Sequence, residues 1–108
     1  MKRPQTQQLK SPERSPEQQQ LLGFIRDKFQ DVESLRSMRK RLNGKIGQVE
    51  DDKLQMYLII AHNSLAESQS IMASKGLAEA QKRFELAMTE LRLASKIIEH
   101  YSEGVEHT

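Results

Sequence analysis

The stretch LAEAQKRFELAMTELRLASKIIEHYSEGV, residues 77–105, decides the fold. Leu77, Ala80, Phe84, Ala87, Leu91, Ala94, Ile98, Tyr101 and Val105 recur at alternating spacings of three and four. That is the seam of a heptad repeat in which every position is apolar or Tyr. Leu, Phe, Leu and Ile fill one seam position, while Ala80, Ala87 and Ala94 fill the other. Large residues alternating with small ones suit close helix–helix approach: Ala admits a neighbouring backbone and the long side chains fill the space beside it. Met88 and Leu93 lie beside the seam, where a third helix is expected to meet them. A helix over about 76–103 follows, ending near Gly104 before a frayed terminus at 106–108.

Upstream, Leu54, Leu58, Ala61, Leu65, Ser68 and Met72 mark the inner face of a second helix, expected over about 52–73. Asp51 or Asp52 starts it, the latter in a capping box with Gln55. Tyr57, Ile60 and Ile71 widen its stripe. At Ser74-Lys75-Gly76 the apolar rhythm jumps five residues, from Met72 to Leu77. A tight turn between antiparallel helices explains that jump better than a continuous helix with a phase shift, although no proline marks the break.

The first helix is expected over about 16–43. Ser15 can serve as N-cap, Pro16 sits at the first helical position where its missing N–H costs nothing, and Gln18 completes a capping box. Leu22, Ile25, Phe29, Val32, Leu35, Met38 and Leu42 form its stripe, widened by Leu21 and Phe24. Asn43-Gly44 and Gly47 then end it. Residues 1–14, with two prolines, several glutamines and a lone Leu9, read as a flexible tail before a helical domain at 15–105. Ser11-Pro12 and Ser15-Pro16 also fit proline-directed phosphorylation, a weak signal in a tail.

No strand-like alternation competes. The expected class is all-α: an antiparallel helical hairpin or three-helix bundle with coiled-coil-like packing. About 85 residues make a thin core. A first helix of ~40 Å would outreach a second of ~30–35 Å, leaving apolar length for a copy or a partner to cover.

Composition removes several classes of function. There is no cysteine, so disulfides, thiolate nucleophiles and cysteine-built metal sites are absent. A cytoplasmic location is the expectation. The longest apolar run, Tyr57 to Ala61, falls far short of the ~20 residues that span a bilayer, so no integral membrane association is expected. The three histidines, His62, His100 and His107, lack a constellation around them. His100, Glu103 and His107 share a helical face, but at a fraying end where nothing orients them as metal ligands. The lone serines Ser34, Ser37, Ser64 and Ser95 have no nearby base to activate them, and no phosphate-loop, zincin or nucleophile-elbow motif occurs. No enzyme, cofactor or metal site is therefore expected.

Charge is unevenly spread: residues 1–20 carry a net +2 and 21–49 a net +4, against −2 each for 50–76 and 77–108. Arg36, Arg39, Lys40, Arg41 and Lys45 place five cations in ten residues without an acid. Such a helix can follow phosphates, dock on an acidic protein or simply be solvated. Missing interleaved aromatics and a net charge of only +2 count against nucleic acid. The absence of Trp counts against a membrane surface. The leading expectation is a noncatalytic protein–protein interaction module: an adaptor, assembly subunit, inhibitor or chaperone-like partner, with a protein partner or homo-oligomer. Its basic face would be those five cations. Its packing or oligomer seam would be Leu22, Ile25, Phe29, Val32 and Leu35 with Leu77, Phe84, Leu91, Ile98 and Tyr101, residues that could equally be plain core. The alternative is a small helical nucleic-acid-binding or regulatory protein using the same basic stretch.

Overall fold

Residues 15–106 are described by a computed structural model. Three helices make it up: α1 (Pro16–Arg41), α2 (Gln48–Lys75) and α3 (Leu77–Glu106). The described chain is an all-α three-helix bundle with no strand. The proposed tail at 1–14 lies outside the described residues.

Ser15 opens α1 in a reciprocal capping box. Its Oγ accepts from the Gln18 N–H and its own N–H donates to Gln18 Oε1, each at 3.1 Å. Leu42 closes the helix, and Gly44 turns the chain at φ +83°, a conformation that side chains with a Cβ disfavour. α2 then starts at Gln48, four residues before the expected Asp52. Extended Gly47 is its N-cap and offers no side chain, which is why the sequence hides this start. Glu50, Asp51 and Asp52 instead fall in the first turns of α2, where acidic groups face the positive end of the helix dipole.

The expected turn after α2 is a single residue. Gly76 takes φ +94° and ψ 176°, a region essentially reserved for glycine. Its N–H still donates to Met72 O, while its own carbonyl accepts from the Ala80 N–H. So sharp a reversal lays α3 directly back along α2. Ala61, Ala80, Ala87, Ala94 and Ser68 are all fully buried between them. A methyl group can be so covered only if the facing backbone comes near. Ser68 shows that it does, donating from Oγ to Ala80 O at 2.6 Å across the pair.

α1 lies in the groove that this hairpin makes, antiparallel to α2 and parallel to α3. Phe29 meets His62 edge-on at 5.2 Å, and Phe24 stacks on Phe84 at 6.3 Å. Its core row is Leu21, Ile25, Val32, Leu35 and Leu42. Leu22 and Phe29 are half-buried flanks rather than the centre of the stripe, and Phe24 and Met38 are largely exposed. The row is a heptad seam in which Lys28 and Arg39 occupy two positions, so apolar identity alone obscures it. The expected surplus length is also reversed: at 26 residues α1 is shorter than α2 at 28 and α3 at 30.

Gly76→Ala should destabilise the fold by ~1–3 kcal/mol through backbone strain. Ala87→Leu should cost a similar ~1–3 kcal/mol by forcing the hairpin apart. Urea unfolding checks both, and a change below about 0.5 kcal/mol in either would contradict the close-packed hairpin.

Candidate interaction surface

Two of the five basic-stretch side chains are already engaged within the molecule. Arg39 forks onto Asp51, with Nε to Oδ1 at 2.6 Å and Nη2 to Oδ2 at 2.8 Å. That pair ties the last turn of α1 to the first turn of α2, joining a helix C-terminus rich in cations to an N-terminus rich in acids. The hydrogen bond from Arg39 holds the Asp51 carboxyl below its usual range, against the opposing effect of burial. The same bond raises the Arg39 guanidinium. Arg36 pairs with Glu33 at 2.8 Å. Lys40, Arg41 and Lys45 are exposed and make no ion pair with any described residue. The five-cation face therefore reduces to three free charges. Arg39 acts as a structural tie, so reversing its charge would disturb the α1–α2 junction as well as any docking.

The seam residues divide in the same way. Ile25, Val32, Leu35, Leu91 and Ile98 are buried inside one molecule, and Leu22, Phe29, Leu77, Phe84 and Tyr101 pack half-buried against them. Tyr101 stands over the α1–α2 turn, where a Cβ added to Gly47 would lie 3.6 Å from its Oη. Within one molecule these side chains belong to the core or to its half-buried flank.

The free edge lies elsewhere. Val49 (66% exposed) and Met56 (49%) sit seven residues apart on α2, with half-buried Ile60 four residues further. Leu86 (42%), Leu93 (37%) and half-buried Ile97 repeat the same seven-and-four spacing on α3. On each helix this arc flanks the shared small-residue seam. His62 and Asp51 place α1 on one side of α2, and Phe84 places it on one side of α3. By helical position both arcs fall on the opposite side. Leu93 therefore faces away from the third helix expected to meet it, whereas Met88 lines the groove between α1 and α3. The Arg83–Glu67 pair, at 3.8 Å, bridges the two arcs. Sequence reading placed Ile60 beside the α2 stripe and Leu93 beside the α3 seam. What it lacked was the side of the hairpin taken by α1.

The remaining concavities carry little chemistry. The α1–α3 groove, about 630 Å³, has Leu35, Met38, Met88 and Leu91 in its lining, with Lys28 and Asp31 paired at its rim. No group of three or more metal-ligating side chains occurs among the described residues. His62 is half-buried against Phe29. The His100, Glu103 and His107 arrangement lies partly outside the described side chains, and His100 packs edge-on to Tyr101 at 5.0 Å. No described helix is long and apolar enough to cross a membrane. Comparison with protein-family models, curated proteins and solved structures finds no match for this chain.

The lowered Asp51 carboxyl sets a pH dependence. Its stabilising contribution is complete above the unfolded-state value of ~3.9 and is lost as pH falls through the lower folded-state value. Asp51→Asn should cost about 0.5–1 kcal/mol at pH 7, the upper range for a partly exposed forked pair. Thermal melts of both proteins should draw together as pH falls below the unfolded-state carboxylate range and through the lower folded-state value. A gap independent of pH would show that the pair adds nothing.

Proposed function

We propose that the chain is a noncatalytic protein–protein interaction module, an adaptor or assembly subunit, docking through the outer stripe of α2 and α3. The observation that carries this reading is the stripe itself: six apolar side chains in two matched arcs on the face that α1 leaves bare. Exposed apolar residues scattered singly are ordinary, but a contiguous patch of several hundred Å² marks a contact surface. By helical position Lys53 and Glu90 stand between the two arcs, and Glu67 and Arg83 just beyond their end, so the face mixes apolar and charged groups. The nucleic-acid alternative draws less support. With Arg39 tied to Asp51 and Arg36 to Glu33, the free charges on the basic stretch are few for a phosphate-tracking surface.

The docking face thus moves from the first helix, where charge and apolar length coincide in sequence, to the back of the hairpin. A photoreactive amino acid at position 56 or 93, irradiated in the cells that make the protein, should give discrete protein adducts. The same group at exposed Glu85, off the stripe, should give none. Absence of adducts from both stripe positions would defeat the reading.

A further inference from the structure

Resting on that reading, we infer that the occupant of the stripe is a second copy of this chain. The two copies would pack back to back about a twofold axis parallel to the helices. Two features of the face favour a copy over an unrelated partner. The first is register. Gly76 folds α3 back so closely that α2 and α3 residues at one height have numbers adding to about 148, as Ser68 and Ala80 do. A twofold along the helix axis sets α2 of one copy against α3 of the other without changing height. Met56 then meets Leu93 of the second copy, and Val49 and Ile60 meet its Ile97 and Leu86. Apolar positions meet apolar positions along the whole stripe.

The second feature is charge. Glu67 and Arg83 stand at nearly the same height on the two helices, 3.8 Å apart and exposed, with side chains 58% and 49% accessible. The same twofold brings Arg83 opposite Glu67 of the second copy, closing a ring of four alternating charges. An axis perpendicular to the helices would set α2 against α2 and α3 against α3 with height reversed, so that Glu67 would no longer meet Arg83 of the second copy. The face is therefore complementary to itself in one orientation, as an isologous contact requires.

Its size is also adequate. The six apolar side chains expose roughly 400 Å² per copy, and the stems of Lys53 and Arg83 with the neighbouring carboxylates bring the face toward the ~800 Å² per partner of a stable interface. Neither the α1–α3 groove nor the three free cations offers comparable self-matching.

Light scattering coupled to size exclusion, at about 100 µM protein and moderate ionic strength, should give twice the 12.5 kDa chain mass. Leu93→Glu should give monomer with unchanged helicity, and its melting temperature should no longer rise with protein concentration as the wild-type value does. Arg83→Glu makes all four ring charges negative, and Glu67→Arg makes all four positive. Each variant alone should dissociate at least tenfold more readily than the wild-type protein. An equimolar mixture should recover the double mass, because each copy then supplies the charge that the other lacks. A wild-type monomer, a dimer indifferent to Leu93→Glu, or a mixture that stays monomeric would overturn the inference. A monomer whose position 56 still crosslinks to a protein of different mass would overturn the second copy alone. A monomer with no adduct would defeat the interaction reading as well.

Discussion

The approach of α3 to α2 governs the rest of the molecule. Alanines at 80, 87 and 94, facing Ala61 and Ser68, bring two backbones together. The hydroxyl of Ser68 completes that approach by donating to a carbonyl on the opposite helix. Small residues contribute little hydrophobic area themselves. Their effect is geometric, because the close pair throws the long side chains Leu58, Leu65, Leu91 and Ile98 to one side. That side becomes the floor on which α1 lies. The opposite side, with its shorter apolar arcs, stays open. One constraint thus creates both the covered core and the uncovered stripe, and Gly76 is what lets it start within a single residue.

Charge acts on this frame locally. The basic end of α1 and the acidic start of α2 attract, and one fork, Arg39 on Asp51, realises that attraction at the junction. Most other ion pairs are exposed and lie within a single helix, where each is worth a few tenths of a kcal/mol. The exception is Arg83–Glu67, which crosses the back of the hairpin among apolar neighbours. Its position matters more than its strength: it links α2 to α3 just beyond the end of the two arcs.

Much of the architecture was legible in the chain. The Leu77–Tyr101 repeat and the Leu54–Met72 stripe predict buried faces that the bundle buries, and Ser15-Pro16-Glu17-Gln18 predicts a capped start that forms as written. Less legible was α1, whose seam runs through Lys28 and Arg39, so that counting apolar residues moves the stripe onto Leu22 and Phe29. The start of α2 was hidden because an aspartate suits a first turn as well as an N-cap, and glycine caps without a side-chain signature. The surface was least legible of all. Ile60 and Leu93 are adjacent to their seams, and adjacency does not say which side a third helix takes. Handedness of packing decides that, and it is a property of three helices together.

The most direct measurement is methyl NMR of selectively labelled Met, Val and Leu across a dilution series from high to low micromolar protein. Shifts should move with concentration at Val49, Met56, Leu86 and Leu93, while Leu54, Leu65 and Met72 in the core stay fixed. Spectra unchanged by dilution and showing only free, exposed methyls along the stripe would contradict self-association there. Shifts confined to methyls on α1 would contradict the choice of face.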